Sequence, residues 1–115
     1  MKTFLAVYIG SALETAGWSS LNEEERQEKQ QAGMQAWGEW VAANRSSIVD
    51  IGTPLGKTKR ISKQGIADFK NTMTAYAIVQ ADSHETAAKL FSNHPHFMIF
   101  PGESVEVMEC LPMPG

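Results

Sequence analysis

The sequence predicts an α+β domain with strands and helices in the order β-α-β-β-α-β. Three observations carry that expectation. Residues 2–9 and 72–80 alternate with the strand period of two and have apolar side chains on both faces. A capping signal at Asn22 opens a helix whose second half carries an apolar stripe at three- and four-residue spacing. A second capped helix leads into another alternating segment near the C-terminal end. At 115 residues, with 43% hydrophobic and 20% charged side chains, the chain has the size and composition of a single domain, residues 1–115.

The first strand, residues 2–9, places Phe4, Ala6 and Tyr8 on one face and Leu5, Val7 and Ile9 on the other. A sheet covered by helices on one side needs only one apolar face, so the second asks for another cover, most economically a second copy of the chain. Gly10 to Ser20 reads as a loop. Asn22, with Glu25 at the third helical position, starts a helix near Glu23, and Glu23, Glu24 and Glu25 lie where the helix dipole favours negative charge. Met34, Trp37, Trp40 and Val41 form its apolar stripe, and the helix is expected to stop near Asn44. Residues 47–52 read as a second strand ended by the Gly52-Thr53-Pro54-Leu55-Gly56 turn. A long connection or irregular hairpin follows to Asn71. Residues 72–80 form a central strand, Asp82 or Ser83 caps a second helix that Asn93 and Pro95 end, and residues 105–111 are the last strand. This order is the ferredoxin-like split βαβ arrangement.

Charge and cysteine usage narrow the function classes. The formal net charge is -3, so nucleic-acid binding would need a concentrated basic face. Lys57, Lys59, Arg60, Lys63 and Lys70 form one local basic cluster, but the central strand offers Tyr76 and no basic residue, and no nucleic-acid partner is expected. No apolar run approaches the ~20 residues of a membrane span. The short apolar start, with one basic residue, reads as a strand rather than a signal peptide. Cys110 is the sole cysteine, which excludes an intrachain disulfide, fits a cytoplasmic location, and is expected to pack as a small apolar residue.

The segment Asn93-His94-Pro95-His96-Phe97 carries two of the three histidines at a helix-to-strand boundary. Imidazole exchanges protons near neutral pH, so His94 or His96 is the candidate acid or base, oriented by Asp50 or Asp68 if folding brings one close. The structural alternative has one histidine capping the helix end and the other packing beside Phe97. His84 is expected to be exposed. Ligand pockets are mainly apolar with a few polar groups, which makes Tyr8 and Trp37, and then Tyr76, candidate binding residues among aromatics that are otherwise core. Lys57 and Arg60 either attract an anionic ligand or belong to a solvated loop. A His-x-His metal site would need Glu106 or Asp68 as a further ligand, and no other ligand motif is present, so neither metal nor cofactor is expected. Gly-x-Ser-x-Gly, phosphate-loop and dinucleotide motifs are absent from the sequence.

Ala81-Asp82-Ser83 opening the second helix, His94-Pro95-His96 closing it and Val105-Glu106-Val107 in the last strand resemble the YCII-related family. So do Leu21-Asn22-Glu23-Glu24-Glu25, Trp37 and Trp40, and the Gly52-Thr53-Pro54-Leu55 turn, which extends the resemblance over essentially the whole chain. Many relatives carry an Asp-Gly-Pro-Phe motif before the third strand, where this chain has Ala67-Asp68-Phe69. The resemblance implies a dimeric α/β barrel of two face-to-face sheets, a His-Asp pair, and small organic acids or ring compounds as ligands. The expected function is binding of such a molecule, with cofactor-independent, histidine-mediated isomerisation or elimination as the enzymatic version. A non-catalytic ligand-binding or dimerisation module is the alternative.

Overall fold

The computed structural model describes residues 1–114. Strand β1 (Lys2–Gly10) is followed by α1 (Ala12–Ser19), the long α2 (Glu23–Ala43) and a short 3-10 turn leading into β2 (Ile48–Asp50). Next come β3 (Thr58–Ser62), β4 (Gly65–Phe69), β5 (Met73–Ala81), α3 (His84–Lys89), α4 (Pro95–Met98) and β6 (Gly102–Glu109). The main sheet has the order β2-β5-β1-β6 with every pairing antiparallel, which is the ferredoxin-like order once the separate β3-β4 hairpin is set aside.

Register explains where the core lies. Phe4, Ala6 and Tyr8 of β1 stand opposite Val79, Ala77 and Ala75 of β5. Directly opposed residues share a sheet face, and this face is the one the helices cover. Phe4, Ala6, Tyr8, Ala77, Val79 and Ala81 are buried together with Ala87 of α3 and Phe91 just beyond it, and Trp37 and Trp40 of α2 pack against them. The other face carries Leu5 opposite Ile78 and Met108, and Val7 opposite Tyr76 and Glu106; Val7 is buried there, while Leu5, Tyr76 and Ile78 are half-buried and none of them belongs to the helix-side core cluster. The molecule is accordingly thin, 54 × 43 × 18 Å. Its radius of gyration, 16.1 Å, exceeds the about 13 Å typical of a compact domain of this length.

The start and stop of α2 follow the capping signals: the Asn22 side chain accepts a hydrogen bond from the Glu25 amide at 2.8 Å, and Asn44 is the C-cap. The loop expected over Gly10–Ser20 is instead largely helix α1. Ser11 accepts from the Glu14 amide, a cap that starts a helix with no buried residue and therefore no apolar stripe to reveal it. The second helix is also shorter than expected. It ends at Lys89, and His94-Pro95 starts a separate turn of helix, because proline at the first helical position has no amide to satisfy. The basic connection is a regular hairpin, Thr58 opposite Phe69 through Ser62 opposite Gly65. Cys110 lies one residue beyond β6 and is exposed, contrary to the expectation of a buried thiol.

Two glycines permit close approaches that shape the site. Gly33 of α2 lies against the Phe100 ring, where an added Cβ would come within 2.5 Å. Gly52 has φ +75, and a Cβ there would lie 1.6 Å from the Tyr76 carbonyl oxygen, so only glycine lets the turn lie flat on β5. Among the described residues no helix is long and apolar enough to cross a membrane.

Candidate functional site

The helix-covered face opens into a cavity of about 510 Å³ between α2, the Gly52–Pro54 turn, the end of β1 and the α4 segment. Met34, Trp37, Gly38 and Val41 line it from α2, Ile51 and Pro54 from the turn, Tyr8 from β1, and His96 and Phe100 from the far side. Its wall is mainly apolar, with His96, Thr53, Thr74 and the tyrosines as polar members. No Lys, Arg, Asp or Glu belongs to that lining among the described residues. Trp18 of α1 packs on Phe100 at 5.8 Å between ring centroids.

Behind the cavity wall is an aromatic cluster centred on His94. Its ring lies 4.4 Å from Trp37, 4.7 Å from Trp40 and 5.1 Å from Tyr8 by centroid, and the side chain is wholly buried. The Trp40 indole N–H is spent on the Leu90 carbonyl at 2.6 Å, which ties α2 to the end of α3. His94 Nδ1 accepts the His96 amide at 3.0 Å, capping α4, and Nε2 lies 3.5 Å from the Tyr8 hydroxyl. Burial, with His96 alongside, pushes His94 down to about 4 from its usual 6.5. His94 is therefore a neutral structural member of the cluster at neutral pH.

His96 sits differently. It lines the cavity, and its Nε2 lies 2.8 Å from the Ile9 carbonyl oxygen. Burial lowers its pKa, while the carbonyls of Ile9 and Ser104 pull the other way by favouring the charged ring. The net shift is downward, and because the Ile9 carbonyl can only accept, Nε2 carries the ring proton and the lone pair of the neutral ring is on Nδ1. Gly102 makes this position possible, since a Cβ there would lie 2.3 Å from the ring.

The carboxylates expected beside these histidines are elsewhere in the chain. Asp50 accepts the Gly52 amide at 2.8 Å, an Asx turn that shapes the cavity wall without reaching an imidazole. Asp68 is on the β3-β4 hairpin, paired with Lys59 and exposed. Both imidazoles are oriented by backbone groups and Tyr8 instead of by a carboxylate. Arg60 stacks over Phe69 on the same hairpin, and Lys57 lines a larger, open concavity of about 660 Å³ at its base. That concavity contains none of the aromatic cluster, and its walls are mostly exposed side chains. Tyr8 and Trp37 line the main cavity. Tyr76 reaches it from β5, but its pairing with Val7 assigns its side chain to the opposite face of the sheet. His84 is exposed, as expected, with Nε2 2.7 Å from the Val107 carbonyl oxygen. No group of three His, Cys, Asp or Glu side chains converges as a metal site among the described residues.

Gly38, Phe100 and Gly102 were not legible as site residues. The available signal was the pair of glycines, Gly33 and Gly38, inside a helix where each costs stability, which marks a close approach or an open space. Gly33 answers the first description and Gly38 the second, with nothing within 4 Å of an added Cβ.

The buried histidines have a consequence for stability. For His94 the folded-state value of about 4 lies below the unfolded value, so the unfolded chain takes up a proton first as pH falls. Its contribution is complete above about pH 6.5 and is lost progressively down to about pH 4, amounting to up to about 3 kcal/mol. Urea unfolding at pH 7.5, 5.5 and 4.0 is expected to show that loss. His94→Asn keeps a capping oxygen and removes the titration, so its curve should be flatter over the same interval. Parallel curves for the two proteins would show that His94 does not carry the effect.

No protein-family model matches the chain, and no curated protein matches it in sequence. Among solved structures, the chain is similar to the 5-chloro-2-hydroxyhydroquinone dehydrochlorinase TftG of Burkholderia phenoliruptrix AC1100, in complex with 2,5-dihydroxybenzoquinone. The identity is 15%, the match covers 94% of this chain and 91% of that one, and the TM-score is 0.47. A likeness of that size carries no argument about ligand or reaction.

Proposed function

We propose that the protein binds a small, uncharged ring compound in the cleft between α2 and the sheet. The observation that carries this reading is the cavity itself: about 510 Å³, walled by Tyr8, Trp37, Val41, Pro54 and Phe100, with one imidazole and no charged side chain in its lining among the described residues. Such a wall favours flat apolar ligands with a few polar atoms. It disfavours a free carboxylate, which would be desolvated there without a cationic partner. The resemblance to the YCII-related family supports a small-molecule role, and membership of that family is part of the proposal.

The test uses 4-fluoroacetophenone as a probe, followed by fluorine NMR, with 4-fluorobenzoate as the charged comparison. Binding of the ketone in preference to the benzoate is the expected result. Gly38→Leu fills the cavity from an open position, and removing a mid-helix glycine favours folding by up to about 1 kcal/mol. Affinity for the ketone should fall at least about tenfold, a loss of about 1.4 kcal/mol, while the melting temperature holds or rises. Unchanged affinity in Gly38→Leu would place the probe outside this cavity and overturn the reading.

The placement of His96 favours a second, enzymatic reading, in which its imidazole takes a proton from a carbon beside a ligand carbonyl and returns one, the elementary step of isomerisation or elimination. Deuterium uptake into the methyl group of 4-fluoroacetophenone in heavy water reports that exchange. The rate should fall to background in His96→Gln; exchange that is equal in both proteins leaves binding alone.

The assembly belongs to the same proposal: two copies pack their uncovered sheet faces together as a homodimer. The accessible surface, 8220 Å², exceeds the about 6,200 Å² typical of a folded monomer of this mass by about 2,000 Å². That excess is ample for a stable interface, which takes about 800 Å² from each partner.

A further inference from the structure

The polarity of the hydrogen bonds behind the cavity can be assigned atom by atom. The His96 amide can only donate, so His94 Nδ1, at 3.0 Å, carries a lone pair. His94 is wholly buried and neutral at neutral pH, so its single ring proton is on Nε2. That nitrogen lies 3.5 Å from the Tyr8 hydroxyl, the long limit of a hydrogen bond, and toward an Nε2–H the phenol oxygen can only accept. The hydroxyl's own proton is then left to find an acceptor, and among the described residues His94 is the only hydrogen-bond partner of the Tyr8 hydroxyl. Burial also pushes the phenol well above its usual 10, so the proton stays in place.

Tyr8 is 1% exposed and lines the cavity. A buried hydroxyl proton without an acceptor is costly, and a phenylalanine would fill the same volume without that cost. Its ring is held at 5.0 Å from Trp37, 5.1 Å from His94 and 5.2 Å from His96 by centroid, so rotation of the hydroxyl is the freedom it retains.

We propose that Tyr8 is a built-in hydrogen-bond donor for an oxygen acceptor on the bound ring, a ketone, quinone or phenol oxygen, and that His94 is a positioning residue acting through Tyr8. This rests on the ring-compound reading of the cavity and adds the polar group that its ligand carries. For an acidic carbon beside such a carbonyl, the same hydrogen bond would stabilise the negative charge that develops on the oxygen when a proton is removed.

The experiment compares 4-fluoroacetophenone with 4-fluorotoluene, which has the same ring and no acceptor. Wild-type protein should bind the ketone at least about fivefold more tightly, the worth of one neutral hydrogen bond. It should also shift the bound carbonyl stretch to lower frequency in the infrared. Tyr8→Phe should bring the two affinities together and abolish the infrared shift, while its affinity for 4-fluorotoluene stays within about twofold of wild type, because the ring is unchanged. His94→Asn, which keeps a cap for α4, should lose part of the ketone preference. A wild-type carbonyl stretch that does not move on binding, or a ketone preference that survives Tyr8→Phe, overturns the inference while leaving the cavity reading standing. Failure of both probes to bind overturns the two together.

Discussion

Ile78→Asp is expected to convert a dimer into a monomer. Light scattering at tens of micromolar should give twice 12.6 kDa for the wild-type protein and 12.6 kDa for the variant. Ile78 is half-buried in the lone chain and faces Leu5 across the β1-β5 pair, on the side of the sheet that no helix covers. In a monomer water reaches a carboxylate there and screens it from Asp50, which stands opposite across the β2-β5 pair. Closing a second sheet over it would bury an unpaired charge twice, once from each copy, at about 3–5 kcal/mol each. The dissociation constant should rise more than about a hundredfold. The helix-side core, built from Phe4, Tyr8, Ala77 and Val79, is on the other face and should keep the variant folded by circular dichroism. A wild-type monomer would remove the face-to-face assembly altogether, and a dimeric Ile78→Asp would move the interface to another surface, with the exposed Ile61 and Ile66 of the hairpin the first place to look.

Gly102→Ala should damage the site more than its size suggests. The added methyl group would lie 2.3 Å from His96 Cε1 and Nε2 and 2.4 Å from the His96 carbonyl oxygen. Moving the imidazole alone does not relieve the backbone contact, so the start of β6 must separate from α4. Overpacking of this kind costs about 2–3 kcal/mol. Chemical denaturation should show that loss, NMR of the imidazole nitrogens should report a changed His96 environment, and affinity for 4-fluoroacetophenone should fall at least about tenfold. Unaltered stability together with unaltered imidazole signals would mean that the Gly102 approach is not what holds His96.

Individual elements show how far the sequence reaches. Asn22 with Glu25 set the start of α2 to the residue, because a cap is a local hydrogen bond between neighbours in the chain. The alternation in β1 divided Phe4, Ala6 and Tyr8 from Leu5, Val7 and Ile9 for the same reason, since the strand period is a property of the backbone. Helix α1 carried its Ser11–Glu14 signal but buries nothing, and without an apolar stripe it reads as loop. Pro95 was legible as the end of a helix, yet in the fold it begins α4 and places His96 over Gly102.

The order of the four main-sheet strands with α2 and α3, and the two-sided character of β1, were therefore legible from the chain, because each rests on residues within a few positions of one another. The different surroundings of the two histidines were not. They depend on Tyr8 and Ile9, more than eighty residues away, which meet His94 and His96 only when β1 becomes a central strand. The same long-range closure left Asp50 in its own turn and carried Asp68 onto the hairpin, so the histidines are oriented by a phenol and by backbone groups that no spacing in the sequence announces.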